Sequence, residues 1–271
     1  AFSNQNVTMP IVTNGSSFEN ASEYDYWDHV DFIINMAAEK GIYMALVPIW
    51  GSNVRGGYVT QEQAQVYATF LAERYKDKLN IIWLNGGDVR GSDNTEVWRT
   101  IGEILNDICT KHLITFHPFG RTMSSEWFHH EAWLDFNMFQ SGHRNYEQDD
   151  TERGYGPDNW RYVREDYIKD PVKPTIDGEP SYEHVPVGLH DRGQEKWTED
   201  DARRYAYWSV FAGSFGHTYG HGSVMQFYTP GDADRNFGVN ISWKEALDSS
   251  GDGKYIHLKN LYVQLLMFLT K

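Results

Sequence analysis

The chain is poor in cysteine, in basic charge and in long apolar runs, and each shortage removes a class of explanation. Cys109 is the sole cysteine among 271 residues, so neither an internal disulfide nor a thiolate cluster can hold the fold together. Its setting, GEILNDICTKHL, reads as a helix face on which a lone thiol behaves as a small buried hydrophobe. Lys and Arg number 24 against 38 Asp and Glu, a formal charge of −14 that repels nucleic-acid phosphates and anionic membrane surfaces. No apolar stretch reaches the roughly 18 residues of a spanning helix, and the opening AFSNQNVTMP has neither the basic nor the apolar region of a signal peptide. The expectation is a soluble chain, already trimmed if exported, with no nucleic-acid partner and no membrane insertion. A Gly-x-Ser-x-Gly elbow, a phosphate loop and a dinucleotide fingerprint are also missing where those motifs would be needed, which leaves hydride and phosphoryl transfer without support.

What is abundant is apolar and aromatic. A 40% hydrophobic fraction with 10 Trp, 17 Tyr and 14 Phe can bury a sizeable core unaided. The length suits a single domain spanning residues 1–271 and matches one α/β barrel, typically roughly 250 residues. Aromatic faces stack on sugar rings while carboxylates and amides bind hydroxyls, so a neutral, hydroxyl-rich ligand fits the profile.

Short β-rich runs alternate with longer helical patterns along the chain, the mark of parallel α/β architecture. Helices are expected at about 24–40, closed by Gly41, at about 60–76, opened by the capping-box pair Thr60 and Gln63, at 93–111, in DNWRYVREDYIKD, at about 198–214, and at the chain's end in IHLKNLYVQLLMFLTK. Six strands are expected near 42–50, 80–88, 113–119, 134–141, 173–179 and 215–220, with long loops at 144–159 and 229–254 of the kind that serve a binding site or lid.

In a parallel barrel the active site lies at the carboxyl ends of the strands. All six ends are polar here: Trp50-Gly51-Ser52-Asn53, Asn85-Gly86-Gly87-Asp88, His117-Pro118-Phe119-Gly120-Arg121, Gln140-Ser141-Gly142-His143, Asp177-Gly178-Glu179 and His217-Thr218-Tyr219-Gly220-His221. Asp88 and Glu179 follow the two clearest strands, and glycosidic cleavage needs such a carboxylate pair. Plainer roles stay open: Asp88 as a helix N-cap or turn residue, Glu179 as half of a loop ion pair. Asp177 is a rival to Glu179, and strand alternation puts the two on one face with Asp177 deeper, where it could hold a hydrogen-bond partner instead.

The histidines carry less. His217 and His221 have i, i+4 spacing, but Gly216, Gly220 and Gly222 argue against the helix a zinc pair would need. His129-His130-Glu131 lacks the second ligand of a metalloprotease helix and reads as a solvated or helix-capping cluster. Asp248 to Gly253 reads as a turn, since Lys259 stands where a calcium loop needs its bidentate Glu. No metal and no cofactor are expected.

Six stretches, YWDHVDFIINMAAEKGIYMALVPIWG, NIIWLNGGD, FHPFGRTMSSEWFH, DFNMFQSGH, KPTIDGEPSYE and FGHTYGHGSVMQFY, taken in this order, resemble the apiosidase-like barrels of glycoside hydrolase family 140, also labelled DUF4038. The resemblance implies a (β/α)8 TIM barrel acting on oligo- or polysaccharide, such as apiose-containing pectin of the plant cell wall, by a retaining mechanism. It implies Asp88 as general acid/base, Glu179 as nucleophile, and Trp50, His117, Gln140, His143, Tyr182, Tyr219 and His221 as the lining of the sugar pocket. Polymer substrates imply a periplasmic or secreted protein. The family's first two barrel strands and its C-terminal β-sandwich have no counterpart in this sequence, so either a separate fragment completes the barrel or the natural product is longer. A barrel glycosidase acting on a β-glucan and a catalytically silent carbohydrate-binding barrel remain the alternatives.

Overall fold

The computed structural model describes residues 9–232 and 236–269. Most of the opening segment, three residues of the loop 229–254 and the last two residues of the C-terminal helix expectation lie outside the described residues. The contacts divide the chain into two compact units, one running to Phe119 and including Ser124–Phe136, the other combining Gly120–Met123 with the chain from Asn137 onward.

The first unit contains α1 (Tyr26–Glu39), β1 (Met44–Leu46), α2 (Gly51–Arg55), α3 (Gln61–Tyr75), β2 (Ile81–Val89), α4 (Thr95–Ile108), β3 (Leu113–Pro118) and α5 (Ser125–Phe128). Its helices start where local chemistry dictates. Asp25 accepts the amides of Trp27 and Asp28 while Asp28 reaches back to Asp25, and the expected Thr60–Gln63 box opens α3. Gly41, with φ +69°, supplies the left-handed residue after α1 that a side chain would resist. The three strands are parallel in the order β1-β2-β3, with Met44 opposite Ile81 and Ile82 opposite Leu113.

The core of this unit lies where α3 and α4 cover the sheet. Trp83, Trp98, Trp133, Tyr75, Phe116 and Phe128 are all fully buried, and burying each such ring stabilises the fold by about 1.5–3 kcal/mol. Trp83 Nε1 donates to His112 Nδ1 at 3.0 Å, which gives the buried indole its partner. Cys109 closes α4 with its thiol 3.6 Å from the Ala72 carbonyl, and burial pushes that thiol up to about 11, so it is a buried structural residue.

The second unit contains β4 (Asn137–Phe139), α6 (Asn159–Tyr167), β5 (Thr175–Asp177), α7 (Glu199–Phe211), β6 (Gly216–His217), α8 (Trp243–Ala246) and α9 (Ser250–Leu269). Its strands are again parallel, in the order β4-β5-β6. Met123, Phe139, Tyr162 and Val163 form a small core, with Phe139 stacked on Tyr162 at 5.2 Å.

All six expected strands exist, in two three-stranded parallel sheets, and most are shorter than their apolar runs. β1 stops before Pro48, which has no N–H to donate, and Trp50 already caps α2. The run before β4 is used differently within the first unit: Asp135 N–H donates to the Ile114 carbonyl, and the Phe136 carbonyl accepts from Thr115 Oγ1.

Two local expectations are corrected and a third holds in part. His129 is the C-cap residue of α5, in keeping with the helix-capping reading, but it is buried rather than solvated, and Glu131 is tied to Arg99 Nε at 2.8 Å. The turn expected across Asp248 to Gly253 gives way to α9 from Ser250. The loop 229–254 is not wholly irregular, since α8 forms in it under a Ser242–Glu245 capping box. No described helix is long and apolar enough to cross a membrane.

Candidate active site

In the first unit the strand-end residues gather around a break in the sheet. The β2–β3 register runs regularly to Gly86 opposite His117 and resumes at Val89 opposite Pro118, so Gly87 and Asp88 form a bulge. Three successive residues have left-handed backbone, Gly86 at φ +89°, Gly87 at +107° and Asp88 at +56°. The glycines are required there: a Cβ on Gly86 would lie 2.6 Å from the Phe116 ring, and one on Gly87 would lie 2.8 Å from the Trp50 ring.

Asp is among the few residues that tolerate the left-handed region, and holding it there is the kind of strain that clusters at functional sites. Asp88 does not cap α4, a role taken by Asn94. Its amide donates to His117 Nδ1 at 3.3 Å. That contact leaves the ring proton of a neutral His117 on Nε2. Below the bulge, buried Asn85 anchors the strand by donating to the Trp98 carbonyl at 2.7 Å. Trp50 packs at 6.3 Å from the His117 ring and keeps 47% of its surface exposed, so an apolar ring face stands free beside Asp88's bulge.

In the second unit the residues after β4 and β5 are laced together. Glu179 Oε1 lies 3.0 Å from His143 Nε2. His143 Nδ1 accepts the Tyr182 amide at 3.3 Å, so the neutral imidazole carries its proton on Nε2 and donates it to the Glu179 carboxylate. The backbone repeats the link, with Gly142 N–H on the Glu179 carbonyl at 2.9 Å and Ser181 Oγ on the Gly142 carbonyl at 2.9 Å. The Tyr182 ring meets His143 edge-on at 4.9 Å. Gln140 is buried with Oε1 unpartnered.

Asp177 is fully buried, and it accepts from Ser141 Oγ at 2.7 Å and Asn159 Nδ2 at 3.0 Å. Burial pushes its carboxyl up to about 6 against the pull of these donors.

A cleft of about 360 Å³ is lined by Tyr182, Tyr219, Gly220, His221, Met225 and Leu247, among others. Beside it, Glu183, which the sequence analysis did not single out, accepts from Tyr219 Oη at 2.8 Å. Glu183, His184 and His221 bring one ligating atom each to within 4.8 Å of one another. Two features argue against a metal there. His221 Nδ1 accepts the Ser223 amide at 3.1 Å, which puts the proton on Nε2, and the His184 and His221 rings are stacked at 27°, so their in-plane lone pairs do not converge on one point. Burial, reinforced by His184 and Lys196, holds His221 down at about 4, an uncharged donor at neutral pH.

The structure thus places Trp50, Asp88 and His117 together in the first unit. In the second it groups Gln140, His143, Glu179 and Tyr182 at neighbouring strand ends, with Tyr182 shared with the cleft that Tyr219 and His221 line. A larger cleft of about 560 Å³, lined by Phe18, Tyr24, His29 and Phe32, includes none of these residues.

The family model described as apiosidase-like, catalytic domain, matches residues 2–268. A crystal structure described as a glycoside hydrolase family 5 protein from Bacteroides vulgatus is 50% identical over 91% of this chain, with a TM-score of 0.86. A second structure, described as a glycoside hydrolase, is 50% identical over 92% of the chain, with a TM-score of 0.85. The chain spans 54% and 58% of the lengths of these two proteins. The catalytic domain of the major endoglucanase from Xanthomonas campestris shares the fold at 11% identity, with 83% of this chain and 71% of that one covered and a TM-score of 0.52. Among curated proteins, none matches.

Proposed function

The chain belongs to the apiosidase-like catalytic-domain family, and from that premise we propose that it is a retaining glycoside hydrolase with Glu179 as nucleophile and Asp88 as general acid/base. The observation that carries this reading is the His143–Glu179 contact, in which a neutral imidazole of fixed tautomer donates to a carboxylate at a strand end. A donor of this kind aims the carboxylate in a fixed direction.

In the first step a Glu179 oxygen bonds to the anomeric carbon as the glycosidic bond breaks, and the Asp88 carboxyl gives its proton to the leaving oxygen. In the second step Asp88 takes a proton from water, whose oxygen displaces Glu179 and regenerates both groups. Trp50, His117, Gln140, Tyr182, Tyr219 and His221 would hold the sugar, the aromatic rings through their faces and the amide and imidazoles through hydroxyl contacts. The proposed substrate is a plant cell-wall glycan, in particular a pectic side chain containing apiose. A polymer of that kind places the enzyme outside the cytoplasm.

The test is turnover and product stereochemistry on a panel of pectic oligosaccharides and β-glucans. Asp88→Ala and Glu179→Ala are each expected to lower kcat by more than roughly a thousandfold, and proton NMR of the first product should show the anomeric configuration of the substrate. Inversion would remove Glu179 as nucleophile. Binding of glycans without turnover would make the chain a carbohydrate-binding barrel.

A further inference from the structure

Two residues before Glu179, at the end of β5, a second carboxylate is sealed away from solvent with nothing but donors around it. Asp177 Oδ2 takes the Ser141 hydroxyl at 2.7 Å and the Asn159 amide at 3.0 Å, while Oδ1 takes the Ser141 backbone N–H at 3.4 Å. The Glu179 backbone amide lies near enough to pull this carboxyl down against its burial. Asn159 is itself held, since the same Nδ2 donates to the Tyr205 carbonyl at 2.9 Å. Among the described residues no Lys or Arg pairs with Asp177. A fold that needed only to fill this space would be served by an uncharged side chain, because an unpaired buried anion is costly.

The donors show what the charge is for. They come from two elements: the segment after β4 and the start of α6. Ser141 leads directly through Gly142 to His143, and Glu179 is the residue His143 touches. One carboxylate therefore holds the His143 side of the His143–Glu179 contact through Ser141, and stands two residues along the chain from the Glu179 side. Only an acceptor-only group satisfies all of these donors together; an amide would turn an N–H₂ toward at least one of them.

We infer that Asp177 is a positioning residue for the reaction, locking the backbone at Ser141 so that His143 Nε2–H meets the Glu179 carboxylate. The inference rests on Glu179 being the nucleophile. Asp177 does not touch substrate. Its effect passes through the geometry of the pair, which a shift of a few tenths of an ångström would degrade.

The test uses Asp177→Asn, which is nearly isosteric, with Ser141→Ala as a second variant that removes one donor and leaves the charge. Both are first checked for wild-type far-UV circular dichroism and cooperative melting. For Asp177→Asn, kcat should fall ten- to a hundredfold with KM within about threefold, because the defect lies in the alignment of the nucleophile. Ser141→Ala should show a smaller loss of the same kind.

A spectroscopic arm needs no turnover. In ¹⁵N-labelled protein the His143 Nε2 resonance, assigned by its absence in His143→Gln, should carry a slowly exchanging proton. In Asp177→Asn that proton should shift and exchange faster while other ring signals hold. Wild-type kcat together with an unchanged His143 signal in folded Asp177→Asn overturns the inference. If the wild-type chain turns over no glycoside, or Glu179→Ala stays active, the catalytic reading fails instead, and the His143 signal still reports whether Asp177 governs the contact.

Discussion

Asp177 also makes a measurable prediction about stability. Its carboxyl rises from 3.8 to about 6 on folding because burial outweighs the donors that surround it, and at roughly 1.4 kcal/mol per pH unit this amounts to about 3 kcal/mol. Below pH 3.8 both folded and unfolded chains hold the proton, and the group has no net effect. Between 3.8 and about 6 only the folded chain holds it, so the folded state binds more protons and stability falls as pH rises. Above about 6 neither holds it, and the full cost is present. His217, held at about 3, and His221, at about 4, act in the opposite sense, since the unfolded imidazoles take up protons below 6.5 and the folded ones do not. The stability of the wild type alone would therefore mix both trends. Urea unfolding of wild type and Asp177→Asn, followed by tryptophan fluorescence every half unit from pH 4 to 7.5, isolates the carboxylate. The wild-type value minus the variant value should fall by up to about 3 kcal/mol across that window. A flat difference, or one that grows with pH, would refute the claim that Asp177 carries a buried, costly charge.

The remaining expectations are simpler. His143→Ala should cut kcat by about ten- to a hundredfold, as expected for loss of one charge-assisted donor, and should also lower the melting temperature, because it empties a buried site and leaves the Tyr182 amide unpaired; unchanged kcat in the folded variant would show that the contact with Glu179 is incidental. Gly86→Ala should lower stability by more than about 1 kcal/mol in denaturant titrations, because it forces a Cβ into the left-handed region 2.6 Å from the Phe116 ring. A neutral result there would mean the bulge relaxes freely. His112→Ala should cost about 1–3 kcal/mol by leaving the Trp83 N–H unpaired in the core, and an equal loss in a Trp83→Phe, His112→Ala double variant would argue against that cause.

How far the chain could be read in advance depended on the range of the signals involved. Capping boxes and apolar spacing are local, so α1, α3 and α7 begin and end close to where Thr60, Gly41 and Thr198 indicate. Strand lengths depend on where partners stop pairing, which is not local. The run at 134–141 reads as one strand, yet Asp135 bonds to β3 in one unit and Asn137 starts β4 in the other. The six polar strand ends were legible as a set because each follows an apolar run. The β2 bulge was not, since Gly-Gly-Asp reads equally well as a turn. Parity put Asp177 and Glu179 on one face, but only packing sealed Asp177 behind Ser141 and Asn159 while Glu179 met His143. Glu183 was missed because it follows no apolar run, and its significance comes from Tyr219, which is 36 residues away.

The three left-handed residues that close β2 make Asp88 inseparable from its surroundings. Its direction is set by a peptide path that ordinary side chains cannot follow, so the carboxylate is portable only as the whole segment Asn85–Val89 with Trp50 and His117 beside it. Transplanted alone onto a regular strand of another scaffold, an aspartate would sit on a flat ladder and face whichever side the two-residue repeat assigns.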